Sequence, residues 1–312
     1  MSHQIKFNER FSTSEQPFFI GEVIFGTGLK QIEFTDPYGN KSFRSEFEKE
    51  LYKDHNIVVI GGYQFAFSKL FNIGMDTSST LRVGDLNDDA PLMKIGVNRA
   101  SYQSTKYDAE ASISGDAPTK SGVKISALNH IFGFMIGDGG STENNITVIA
   151  PDYKRRTLFR AVPFRMSNDG SEINEAHYFG KTSTLPNGNS EVVTSYYIKS
   201  FDLPAPHIIH CWASESSKTL TTVDDSVYSS ISSTPIESYV EMVMSISAED
   251  ARGFFTTTNS IPRINEIGLV SGWFNPTEQD YEDLVLFSHF TRPSILLNDE
   301  DEISIIYRLY AR

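Results

Sequence analysis

The chain carries one cysteine, Cys211, in 312 residues. An intrachain disulfide is therefore impossible, and so is a zinc or redox site built on a Cys-x-x-Cys pair. Positive charge is also short: 27 Lys and Arg stand against 40 Asp and Glu, for a formal net charge of −13. Nucleic acid and anionic membrane both call for a positive field, so neither is expected as the main partner. Long apolar runs are missing as well. No stretch approaches the ~18 apolar residues of a membrane span. The opening MSHQIKFNERFSTSEQPFF has no cationic region followed by an apolar one, which points to synthesis and folding in a cytoplasm. The sequons at Asn40 and Asn145 then carry no meaning.

Signatures of chemistry are equally sparse. There is no Gly-x-Ser-x-Gly elbow and no His-Glu-x-x-His run. His207 and His210 are three apart in HIIH, but Pro204, Pro206 and the β-branched pair predict a strand, where residues three apart point to opposite faces and do not share a metal. The turn IGDGGSTENN, 136–145, lacks the Gly-Lys-Ser/Thr ending of a phosphate loop and has the wrong element order, and GTG at Gly26 to Gly28 has no third glycine. Lys154, Arg155, Arg156 and Arg160 form the one basic cluster, read as a solvated strand entry. NDEDE at 298–302 and DLNDDAP at 85–91 offer oxygen ligands without the spacing of a calcium loop, and read as polar turns. No catalytic, cofactor-binding or metal-ligating residue is expected, and no enzyme.

What the chain does have is aromatic residues, 12% of the total, a composition that favours strands and interfaces. FFIGEVIFG, Phe18 to Gly26, reads as a strand. SEFEKELYKDH reads as a short helix, with Phe43, Phe47 and Leu51 four apart and Ser45 and Glu48 placed for a capping box. Asp76 to Gly122 is rich in Ser, Thr, Asp and Gly and reads as an excursion or arm. SALNHIFGFMIGDGG, with Leu128, Ile131, Phe132 and Met135 on one face, predicts a helix stopped by glycines.

From Asn145 onward the pattern changes to strand-length runs between turn clusters: NITVIA, TLFRAVPF, EVVTSYYIKSF, HIIHCWA, ESYVEMVMSIS, INEIGLV, LVLFSHF and EISIIYRLY. TPIESYVEMV is ambiguous: Thr234, Pro235 and Glu237 could open a helix, but the alternation of Val240, Met242, Met244 and Ile246 favours a strand. SAEDARGFF reads as a short helix with Ser247 as its cap and Asp250 in its first turn. In the last run Ile303, Ile305, Tyr307 and Leu309 share one face, and a strand so apolar is expected inside a sheet rather than at its edge. The fold class is mainly β, a β-sandwich-like body with a few short helices. Residues 1–125 form an N-terminal mixed α+β region or assembly arm, and 126–312 the β-sandwich-like domain.

The strings GFMIGDGGST, LFRAVPFRMSNDG, HYFGKTS, SYYIKSFD and the closing INEIGLV, LVLFSHFTRPSILL and EISIIYRLY resemble virion structural proteins of tailed bacteriophages, from the tail, neck or baseplate region. His289 stands where such sequences often carry a cationic residue. The resemblance implies a non-enzymatic subunit of a tail, neck/collar or baseplate, located in the virion. Its partners would be other virion proteins and its own copies, in a homo-oligomeric ring, and it brings no catalytic residue and no cofactor. A receptor- or glycan-binding β-sandwich of a phage fibre is the alternative. For either, the aromatic anchors expected at an interface are Trp212, Trp273, Tyr196 and Tyr197.

Overall fold

The computed structural model describes residues 19–71, 81, 129–142, 147–167, 177–184, 193–212, 236–247, 250, 263–275, 280–296 and 302–311. The protein is mainly β. Its elements are β1 (Phe19–Thr35), β2 (Lys41–Val58), α1 (Ile60–Phe71), β3 (Asn129–Gly137), β4 (Ala161–Val162), β5 (Phe164–Ser167) and β6 (Tyr178–Thr184). Then come β7 (Val193–Ser200), β8 (His207–Trp212), β9 (Ile236–Ser247), β10 (Arg263–Asn275), β11 (Asp280–Leu296) and β12 (Glu302–Ala311). No described helix is long and apolar enough to cross a membrane.

The strands join in the order β5, β7, β3, β10, β11, β2, β1, β12, β9, β8, with β4 on β3 and β6 on β7. The ladder is short in the middle, where β11 meets β2 at Ser288 opposite Val58 and His289 opposite Ile57. That seam divides the order into two halves. Side chains from both halves enter one buried cluster: Val23, Phe25, Met244, Ile305 and Tyr307 from one, Phe134, Ile267, Leu269, Phe287 and Phe290 from the other. The halves therefore face each other across the main core, with Phe25 and Phe290 ring centroids 5.8 Å apart.

Alternation explains β12. Ile303, Ile305, Tyr307 and Leu309 all point into the core, and the strand is paired on both sides, with β1 and with β9. Strands β1 and β2 stand between β11 and β12, so 19–58 belongs to the same sheet as the C-terminal strands.

Two helices expected from the sequence are strands. The segment 45–55 lies within β2, paired with β1 through a turn at Asp36 to Asn40. There the Asp36 carboxylate accepts the amide N–H groups of Tyr38 and Asn40, and Gly39 adopts a φ of 82°. The four-residue spacing of Phe43, Phe47 and Leu51 is an accident of a bulge: Phe25 faces Tyr52 and Gly26 faces Glu50, leaving Leu51 as the extra residue. The segment around Ile131 to Met135 is β3, flanked by β10 and β7, and Phe132 to Gly137 are buried throughout. A strand covered on both faces has no alternation to show and reads as a continuous apolar run. Of NITVIA, the described residues 147–150 form no strand, only a single bridge from Val148 to Ser141. TPIESYVEMV supplies β9, as the alternation predicts.

The helix expected at 247–255 is described only at Ser247 and Asp250. The Ser247 Oγ accepts the Asp250 N–H at 3.1 Å and the Asp250 carboxylate accepts the Ser247 N–H at 3.0 Å, the reciprocal pair of a capping box. The stretch 76–122 lies outside the described residues except for Leu81, which is fully buried and donates its N–H to the Leu284 carbonyl.

Beyond the bulge the β1/β2 hairpin turns back over the other face of its own half-sheet. Gly26 and Gly28 permit the bend: a Cβ on Gly26 would lie 2.2 Å from the Phe47 ring, and Gly28 has a φ of 68°. The returning arm seats Phe34 against Ile209, Cys211 and Tyr239, with Tyr310 packed alongside.

Candidate functional site

Most strings that carry the resemblance meet in one place. Glu266, from INEIGL on β10, is fully buried. Its Oε1 accepts the N–H of Phe159 at 2.7 Å, and its Oε2 accepts those of Arg160 and Gly139 at 3.1 Å each. A carboxylate oxygen only accepts, so the His289 Nε2, 3.0 Å from Oε1, is the donor and carries the proton. The neighbouring Asn265 accepts the Gly140 N–H on Oδ1 at 2.6 Å, and its Nδ2 lies within 3.1 Å of the Asp138 carbonyl and of both Ser141 and Ser294 hydroxyls.

The glycines of IGDGG are there because backbone and side chains close on them. An added Cβ would sit 2.6 Å from the Arg160 carbonyl at Gly137, 2.7 Å from the Phe159 Cβ at Gly139 and 2.2 Å from the Asn265 carbonyl at Gly140. Asp138 faces outward to the exposed Arg160 guanidinium, bonding it through both oxygens. Burial lifts the Asp138 carboxyl above its ordinary 3.8, against the opposing pull of Arg160. Glu266 and His289 are both sealed from solvent. This knot fixes the loop 137–142, the entry to β4 and the β10/β11 ladder relative to one another.

Surface features lie on the other half. Exposed apolar residues there include Tyr38, Phe43 and Leu51 on the β1/β2 hairpin and Leu203, Ile208 and Ile236 on or beside the edge strand β8, while others, Tyr153 among them, lie elsewhere. A groove of about 320 Å³ runs between the hairpin and the start of β8, lined by Gln31, Lys41, Phe43, Arg44, Pro204 and His207 among others. His207 Nδ1 and Nε2 lie 3.0 and 3.3 Å from the carbonyls of Ala205 and Phe43, tying the arm to β8. Beneath the arm, the fully buried Glu241 accepts the Ser45 N–H at 2.7 Å and the Arg308 Nε at 3.0 Å. Arg308 also donates to the Ser45 carbonyl at 2.8 Å.

Tyr196 and Tyr197 are buried, at 4% and 9% exposure. Trp212 is half-buried on β8, and the side chain of Trp273 lies outside the described residues. The exposed apolar residues had one sequence signal: Ile208 and Ile209 are adjacent on a strand, so only one can face inward, and Ile209 does. His210 bonds the Ser238 hydroxyl at 2.7 Å, on the face of β8 opposite His207. In the basic cluster Arg155 donates to the Thr157 and Leu158 carbonyls and stacks over Phe159, while Lys154 lies over Tyr153. Among the described residues no group of three His, Cys, Asp or Glu side chains is gathered to hold a metal ion.

A last polar cluster joins the halves. Asp250 accepts the Tyr178 hydroxyl at 2.5 Å and the Lys199 ammonium at 2.8 Å, and Lys199 also donates to the Ser245 carbonyl at 3.0 Å. Tyr178 and Lys199 come from β6 and β7, Ser245 from β9. Burial would raise the Asp250 carboxyl, but the Lys199 charge and the hydrogen bonds hold it below its ordinary value.

Searches against protein-family models, curated proteins and solved structures find no match to this chain.

Proposed function

We propose that this protein is a non-enzymatic structural component of a bacteriophage virion, a tail, neck/collar or baseplate subunit that works by assembling with other virion proteins and with its own copies. The class of protein comes from the sequence resemblance. The mode of action is carried by one observation: exposed Tyr38, Phe43 and Leu51 lie on the β1/β2 hairpin and exposed Leu203, Ile208 and Ile236 on or beside β8, with Phe43 lining a groove between hairpin and β8, on a chain whose net charge is −13. Scattered apolar residues are normal on any surface, whereas a gathered set marks contact with another macromolecule. The polar knot at Glu266 ties four of the resembling strings together in the half-sheet that faces the one bearing this surface.

Immunogold electron microscopy on particles from a lysate in which the chain is expressed tests this directly. Discrete label at neck, tail or baseplate is the expected result. Bare particles beside a strong signal in the soluble extract would overturn it.

A further inference from the structure

Lys199 and Asp250 meet with 2.8 Å between Nζ and Oδ2, and their side chains are 12% and 8% exposed. We propose that this pair is a self-modification site, at which the Lys199 amine and the Asp250 carboxyl condense to an intramolecular amide that links β7 covalently to the segment following β9.

Four groups are placed for that reaction. Lys199 is a nucleophile held against its target and shielded from water, a setting that activates an amine once its proton has left. Asp250 is the electrophile. The Tyr178 hydroxyl on Oδ1 and the Ser247 N–H on Oδ2, at 2.5 and 3.0 Å, are donors where oxyanion charge develops as Cγ is attacked. The fourth group is Asp202, three residues beyond Lys199, whose N–H is bonded to the Val243 carbonyl. It bonds Ser245, whose carbonyl also receives Lys199, and it interacts electrostatically with both Lys199 and Asp250. Its Oδ2 is buried and has no hydrogen-bond partner. Burial raises the Asp202 carboxyl above its ordinary value, so its charge bears on the neighbouring pair.

The atoms balance without any oxidant, reductant or co-reactant. One proton passes from the ammonium to the Asp250 carboxylate across their 2.8 Å contact, giving the neutral amine and acid. The Nζ to Cγ bond forms, the bond from Cγ to one carboxyl oxygen breaks, and that oxygen leaves as water with the acid proton and one amine proton. Because the ion pair is favoured at rest, the reaction draws on the minor neutral pair. The ordering of both groups by folding offsets that handicap.

The test is the intact mass of the purified full-length chain. The expected value is lower by about 18 Da than the sequence mass, the water lost when an amine and a carboxyl condense. Tandem mass spectrometry should locate the loss in a branched peptide containing both Lys199 and Asp250, uncut by trypsin at Lys199, which also distinguishes it from a cyclised aspartate. Lys199→Arg keeps the cation and should restore the full mass, and Asp202→Asn should slow the loss. A full-mass wild-type chain yielding separate, linear Lys199 and Asp250 peptides overturns the proposal whatever the variants do.

Discussion

Tyr307 on β12 donates a hydrogen bond of 2.9 Å to Ser288 on β11, across the core rather than along a ladder. Both residues are 1% exposed, so the bond is a buried polar tie between the facing halves. Tyr307→Phe keeps the ring and strands the Ser288 hydroxyl. It should lower stability by about 1–2 kcal/mol. The check is the urea midpoint, shifted with an unchanged slope.

Glu266→Gln replaces an oxygen by an NH₂ group facing backbone N–H donors that no longer have an acceptor. Breaking a buried, fully engaged carboxylate should remove about 3–5 kcal/mol. Gly140→Ala attacks the same knot from the loop, driving a Cβ to 2.2 Å from the Asn265 carbonyl. Since both variants fail in one structural unit, the double variant should lose less than the sum of the two, which a double-mutant cycle by denaturation will show.

The arm's seat has a built-in reporter. Cys211 is buried beneath it, and burial, with a smaller push from Glu237, raises its thiol to about 11. In the native protein at pH 8 a thiol reagent should therefore label it slowly, and rapidly once denaturant is added. Phe34→Ala empties part of the cluster over Cys211, should destabilise by about 3–5 kcal/mol, and should speed native-state labelling. Unchanged labelling would show that Phe34 does not cover the thiol.

Asp138 sets a pH dependence whose sign is the reverse of a typical ion pair. Its carboxyl is raised in the folded chain, chiefly by burial, so the native state binds its proton more tightly than the unfolded state does. The stability it contributes is full below the ordinary value of 3.8 and lost as pH rises through the higher folded value. Relative to Asp138→Asn, the wild type should lose stability as pH is raised from below 3.8 through the higher folded value. The exposed Arg160 partner adds little to offset this. Paired denaturation curves at several pH values give the slope.

Ile208→Lys separates folding from assembly. The side chain is 63% exposed on the edge strand, so stability should move by less than about 0.5 kcal/mol. Self-association and incorporation into particles should fall. Sedimentation velocity on the two chains measures the first, and label density on particles the second.

Much of the β-rich architecture could be read in advance because half-buried strands alternate. Residues 303–309 show it, as do 240–246, and both became strands with those side chains inside. β3 was illegible for the opposite reason: with Phe132 to Gly137 all buried, its pattern carries no period that separates a strand from a helix. In β2 a single bulge residue, Leu51, created a false helical spacing. The helix α1 begins at Ile60 with two glycines after it, poor helix formers whose place comes from packing, since a Cβ on Gly62 would meet the Phe287 carbonyl at 2.2 Å. As for the site, NEIGL and GDGG drew attention as strings, but the role of Glu266 was hidden because its partners Phe159 and Gly139 lie 107 and 127 residues away.

The position of β12 between β1 and β9 has a consequence for the order of events in the cell. β1 can find β2 as soon as the hairpin is made, yet its other partner pairs Phe19 with Ala311, nearly the whole chain later. During synthesis β1 must wait with one ladder unsatisfied and Val23 and Phe25 without their cover. Closing so long a loop is slow, and an open strand edge is the form of chain most prone to join its neighbours wrongly. The nascent protein is thus most vulnerable just before its last strand arrives, and chaperone dependence should concentrate in that interval.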